Sequence, residues 1–137
     1  MFSYLYKLKG LVVYGSQIGR TIDFPTANMN IEKSFDLELG VYVSISKIKD
    51  DYFLSITNVG YHPTINKLET PIMETYILNY SKDIYDETIT VYLIKYIRSE
   101  IKLSSLDKLK QRMYLDKQFA IDNYKNFKDL PVLKNVN

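Results

Sequence analysis

Val41, Val43 and Ile45 alternate with Tyr42, Ser44 and Ser46, the period of two that a strand with one buried face imposes. The spacing predicts a strand over 41–47. Runs rich in β-branched and aromatic residues predict further strands over 8–14, 52–59, 73–80 and 88–97. Lys49-Asp50-Asp51 reads as a hairpin turn, and residues 81–83 to 86–87 as a second connection, so successive strands are expected to be antiparallel. After Arg98 the period lengthens. Leu106, Leu109, Met113, Ala120 and Tyr124 form a helical stripe, and Ser104-Ser105-Leu106-Asp107 resembles a helix start with a serine cap and a carboxylate three residues on. One or two helices are therefore expected over about 104–126. Strands followed by a terminal helix predict a mainly β (α+β) fold, a small antiparallel barrel or sandwich with helices to one side.

The 137 residues suit a single domain over 1–137, with no internal repeat or linker. The 18 basic and 16 acidic residues leave a net charge of +2, too small a field to argue for nucleic acid or an anionic membrane. With no cysteine, disulfides and thiolate metal sites are excluded, and His62, the one histidine, cannot make a zinc cluster alone. The first residues carry no signal-peptide pattern, and no apolar run approaches the ~18 residues of a membrane span. A cytoplasmic monomer without a membrane or nucleic-acid partner is the expectation.

The densest chemistry lies early in the chain. Gly15-Ser16-Gln17-Ile18-Gly19 precedes Arg20-Thr21-Ile22-Asp23-Phe24-Pro25-Thr26-Ala27-Asn28. Glycines let backbone N–H groups approach phosphate closely, and Arg20 adds a forked cation. Thr26 and Asn28 put two oxygen donors on the same side of an extended segment, a donor type that suits a hard metal ion. No Lys-Ser or Lys-Thr follows Gly15, so this is not a P-loop. Taken alone, Gly15 and Gly19 read first as turn glycines, and Thr26 and Asn28 as caps, the commoner job of these residue types; Arg20 and Pro25-Thr26-Ala27-Asn28 beside the glycines turn the reading toward phosphate.

The order of these parts resembles the riboflavin kinases (flavokinases), whose signature runs glycine, arginine, then Gly-Phe-Pro-Thr-Ala-Asn. Further blocks follow in that family's order: Gly40-Val41-Tyr42, Asn58-Val59-Gly60-Tyr61-His62-Pro63-Thr64, Met73-Glu74-Thr75-Tyr76, Asp83-Ile84-Tyr85, Arg98-Ser99-Glu100-Ile101-Lys102 and Asp116. Together they extend from about Gly10 to about Tyr124. The resemblance selects the barrel, implying six antiparallel strands over about 5–100 and a C-terminal helical segment. It also implies ATP-dependent phosphorylation of riboflavin at the ribityl 5'-hydroxyl, giving FMN and ADP.

For the site, the resemblance implies that Gly15, Gly19, Arg20 and Pro25 shape the nucleotide-phosphate loop, and that Thr26 and Asn28 ligate magnesium or another divalent cation there. It implies that Glu74 takes the proton from the attacking hydroxyl, which a carboxylate of ordinary pKa, about 4.3, is ionised to do at neutral pH. Arg98 is placed beside the flavin. Without the resemblance, Glu74 reads as an ordinary solvated strand carboxylate, and Arg98 with Glu100 as a surface pair. None of the 13 tyrosines is assigned to the flavin.

In many bacteria this module follows an adenylyltransferase domain with a His-x-Gly-His motif; neither that motif nor the length is present here, so the resemblance implies a stand-alone kinase. The chain also departs from the family's pattern. Asp23 stands where glycine is usual, Tyr76 where histidine, Asn79 where aspartate and His62 where asparagine. Asp23 adds a negative charge beside the expected phosphate loop. It is the best support for a rival reading, a non-catalytic flavin- or nucleotide-binding sensor module on the same barrel.

Overall fold

The computed structural model describes residues 4–13, 26–31, 35–60, 71–80, 84, 86–100 and 105–126. Their elements are β1 (Tyr6–Leu11), β2 (Ala27–Asn30), β3 (Gly40–Ile48), β4 (Asp51–Gly60), β5 (Ile72–Ile77), β6 (Thr88–Arg98) and α1 (Leu106–Tyr124). The strands form one antiparallel sheet in the order β1-β6-β3-β4-β5-β2. Beyond β1, the Val13 N–H donates to the Asn28 carbonyl at 2.7 Å. The two outer strands of the sheet thereby meet, and it becomes a nearly closed barrel.

Alternation decides what fills it. Along β5, Met73, Thr75 and Ile77 are buried, whereas Ile72, Glu74 and Tyr76 are half-buried on the other face. The interior holds Leu8, Met29, Tyr42, Val59, Met73, Ile77, Ile89, Val91 and Leu93. Tyr42 is 2 % exposed there and its hydroxyl donates to the Glu38 carbonyl. Burial, with Tyr96 and Glu38 close by, pushes that hydroxyl's pKa up to about 12.

β3 differs from expectation. Both of its faces are buried, and the apolar side, Val43 and Ile45, packs outward under the helix with Leu54, Leu78 and Ala120. The hydroxyl side points inward. This works because the hydroxyls satisfy one another: Ser46 with Ser55 at 2.8 Å, Ser55 with Ser44 at 2.7 Å, Ser44 with Thr57 at 2.7 Å, and Thr57 with Thr75 at 2.9 Å. A hydroxyl donates once and accepts as well, so such a chain can run through an interior with no unmet group.

Local chemistry explains the other boundaries. Ile48 pairs with Asp51 across a two-residue turn, where Lys49 takes a left-handed φ of 56°. The strand expected over 73–80 stops at Ile77, because Leu78 and Asn79 turn and Asn79 has φ 58°. β2 has only four residues, too few to show a period in the sequence. The connection between β5 and β6 does not join paired strands: β5 bonds to β4 and β2, and β6 to β1 and β3. The described residues near its end tie to Val12, just beyond β1, instead, with Asp86 N–H donating to the Val12 carbonyl at 3.0 Å and Val12 N–H to the Glu87 carbonyl at 2.9 Å.

After the barrel, the described residues form one helix. Its cap is Ser105, one residue later than the spacing to Asp107 implies, its hydroxyl accepting from the Lys108 N–H at 3.2 Å. Ala120, Ile121 and Tyr124 pack against Val43, Ile45, Leu54 and the half-buried Ile56, Tyr76, Ile94 and Ile97. The barrel's outer face at β3 and β4 is thereby covered.

Thr57→Val keeps the volume of the side chain and breaks the hydroxyl chain between Ser44 and Thr75. A loss of about 1–3 kcal/mol in urea unfolding is expected from the partners left unmet. An unchanged midpoint would mean that Ser44 and Thr75 re-pair without it.

Candidate active site

β5 lies between β2 and β4, and its register places three polar residues in one row. Asn28 of β2 pairs with Glu74 of β5, and Glu74 pairs with Asn58 of β4. Asn58 in turn pairs with Val41 and Val41 with Arg98. Cross-strand partners share a face with Cβ atoms ~4.5–5.5 Å apart. Because Met29, Met73 and Val59 in the next row fill the interior, this row faces outward.

Outward facing does not mean solvated here. Asn28 is 2 % exposed, and its Oδ1 is buried with no hydrogen-bond partner among the described residues. Its amide nitrogen makes one long contact, to the Thr26 carbonyl at 3.5 Å. A buried amide oxygen left unmet costs about 1–3 kcal/mol, so the position suits an incoming donor or cation. Thr26, half-buried, immediately precedes β2. Neutral oxygens of this kind fit magnesium, which needs few protein ligands because it keeps waters and takes phosphate oxygens from a nucleotide. Among the described residues no group of three His, Cys, Asp or Glu side chains is placed to hold a metal ion.

Glu74 is the one carboxylate in that row and stands between the two asparagines. Two positions along β5, burial raises the pKa of the Tyr76 hydroxyl, with Tyr114 adding to it. Tyr76 therefore stays protonated and cannot serve as a base at neutral pH. Glu74 is the carboxylate in this corner, paired across the sheet with Asn28 and Asn58.

Arg98, at the end of β6, is engaged by the helix. Its Nε donates to Asp116 Oδ1 at 3.1 Å and its Nη2 to Oδ2 at 2.6 Å, a forked pair whose side chains are 15 % and 4 % exposed. Arg112 Nε lies 3.9 Å from the same carboxylate. The role this geometry supports for Arg98 is to anchor α1 to the barrel. Glu100, two residues on, lies over the end of β4: a Cβ added to Gly60 would sit 1.7 Å from Glu100 Oε1. Glycine at 60 is what admits that carboxylate.

Among the sequence-predicted site residues, the fold brings Asn28 and Glu74 side by side with Thr26 adjoining, and puts Arg98 at the far end of the same row. Gly15, Gly19, Arg20 and Pro25 lie outside the described residues, as do Asp23 and His62. Two residues were given no role by sequence reasoning. Asn58 is a polar residue on an otherwise apolar strand face, after Leu54 and Ile56, and Asp116 falls on the helix face that buries Ala120. A polar residue at an apolar position was the signal in each case.

The family model for riboflavin kinase (Flavokinase) matches residues 2–124. The chain belongs to the riboflavin kinase family. It is 32 % identical over 126 residues to the bifunctional riboflavin kinase/FMN adenylyltransferase of Bacillus subtilis, covering 90 % of this chain and 40 % of that protein. It thus spans about 40 % of the length of that curated relative. A solved structure described as a macrolide-efflux protein from Streptococcus pneumoniae superimposes with a TM-score of 0.75 at 32 % identity, over 83 % of this chain and 38 % of that one. The riboflavin kinase of Trypanosoma brucei shares the fold, with a TM-score of 0.59 at 22 % identity over 93 % and 91 % of the two chains. Membership of this family does not favour the sensor reading, whose support, Asp23, lies outside the described residues.

Asp116→Ala removes the fork's partner and leaves the largely buried Arg98 guanidinium without its carboxylate, with the Ser99 carbonyl still accepting from Nη1 at 3.2 Å. A loss of about 3 kcal/mol is expected, read as a lower urea midpoint with loss of helical circular dichroism ahead of the barrel. A variant as stable as wild type would show that Arg112 and water replace the anchor.

Proposed function

We propose that this chain transfers the γ-phosphoryl group of ATP to the 5'-hydroxyl of the ribityl chain of riboflavin, giving FMN and ADP. The observation that carries the reading is the antiparallel pairing of Asn28 with Glu74, which sets a buried, unmet amide oxygen directly beside a carboxylate on one face. Phosphoryl transfer asks a protein mainly for positioning and electrostatic stabilisation, and these groups offer both. Family membership supplies the substrate class.

Glu74 accepts the hydroxyl proton as that oxygen forms its bond to the γ-phosphorus and the bond to the β,γ-bridging oxygen breaks, leaving ADP. Asn28 Oδ1 and the Thr26 hydroxyl would hold the magnesium ion of the nucleotide, which when bound offsets phosphate charge. Gly15, Gly19, Arg20 and Pro25 belong to the same reading as the phosphate loop. Arg98 enters through the helix it anchors, and any contact with flavin would use its remaining N–H groups. A monomer is proposed as well, since among the described residues the bridge between Val13 and Asn28 leaves little open sheet edge to recruit a second copy, and a cytoplasmic location, which a chain without cysteine suits.

Incubation with riboflavin, ATP and magnesium, followed by chromatography, is expected to yield FMN. Riboflavin unchanged across nucleotides and divalent metals would overturn the proposal. Glu74→Gln keeps the shape and removes the proton acceptor, so turnover should fall about 10²–10⁴-fold with little change in riboflavin affinity. Activity within a few-fold of wild type would remove Glu74 from that role.

Asn28→Ala and Thr26→Ala should weaken binding of magnesium-ADP in calorimetric titration and lower turnover together, while the melt stays close to wild type. The opposite pattern, early melting with full activity, would make them structural caps.

A further inference from the structure

Asn58 stands across from Glu74 on the side opposite Asn28, and its Oδ1 is also buried with no hydrogen-bond partner among the described residues. Two unmet amide oxygens thus flank one carboxylate, one per neighbouring strand. With strands ~4.8 Å apart, the backbones of Asn28 and Asn58 are separated by about 10 Å with the Glu74 side chain between them. Magnesium binds oxygen at about 2.0–2.1 Å, so an ion that Asn28 and Thr26 would hold does not also reach Asn58. The second oxygen calls for a different partner. With the cation assigned to the Asn28 side, the partner left for an oxygen that accepts hydrogen bonds is a donor, one beside the hydroxyl that Glu74 deprotonates.

We propose that Asn58 positions the acceptor substrate: its Oδ1 accepts a hydrogen bond from the polyol hydroxyl adjacent to the one that is phosphorylated. This rests on the riboflavin kinase reading and extends it to the part of the substrate that is gripped. The fold favours such a grip. Asn58 is held on β4 between β3 and β5, with Thr57 and Val59 on either side fully buried, so its backbone cannot drift. An acceptor bearing only one hydroxyl would leave Oδ1 unmet, and the site would reject it for the cost of that buried atom. Asn58 is accordingly a specificity residue for vicinal hydroxyls.

The test uses the wild-type chain, Asn58→Leu and Asn58→Ser, with riboflavin and 4'-deoxyriboflavin as acceptors. Wild type should prefer riboflavin over the deoxy analogue by about 10–100-fold in kcat/KM. Asn58→Leu should raise KM for riboflavin by a similar factor, leave KM for MgATP within two- to three-fold, and melt no earlier than wild type, because it removes an unmet buried polar atom. Both variants should lose most of the preference between the two acceptors, and Asn58→Ser keeps the comparison possible if the leucine folds poorly. Preference for riboflavin retained in both variants would overturn the proposal, and so would a wild type that accepts the two equally. Failure of wild type to make any FMN is a separate result and counts against the parent reading.

Discussion

The antiparallel register between β5 and its two neighbours is the constraint on which the rest depends. Side chains on a strand alternate strictly, so a slip of one residue would exchange the faces of every residue in it. Met73, Thr75 and Ile77 fix the choice by filling the barrel, and Met29 on β2 and Val59 on β4 fix it again from either side. Glu74, Asn28 and Asn58 then have no alternative but the outer row. The chemistry of the site is a by-product of hydrophobic burial one residue away.

Closure adds the second half of the constraint. β2 is only four residues long and would not hold a register alone. Its pairing with β5 and the bond from Val13 to the Asn28 carbonyl pin it on both sides, so the residue carrying the unmet oxygen is also a residue at which the barrel closes. A site built at such a seam gains rigidity from main-chain bonds.

The helix solves a different problem. Strands with buried residues on both faces need a second layer, and α1 provides it over β3 and β4. Apolar contact through Ala120 and Ile121 has little direction of its own, and the forked pair of Arg98 with Asp116 supplies it, since the planar guanidinium accepts a carboxylate in few orientations. That pair joins the end of the β6 strand, in the same row as the site, to the middle of the helix.

Alternation and caps made much of the fold legible from sequence: β3 to β6, the turn at Lys49-Asp50, the serine cap and the position of the helix follow from local periods and local hydrogen bonding. The resemblance supplied Thr26, Asn28 and Glu74. What sequence alone could not decide was which face of β3 would be inside, because the valines and the serines are both buried, and the serines are admitted only by partners on two other strands. Nor could it pair β5 with β2, separated by more than forty residues, or show that Asn58 stands beside Glu74 and that Asp116 claims Arg98. Periods along one strand report which residues share a face; which strands lie side by side, and so which polar groups meet, is settled only when the sheet curls until its ends touch.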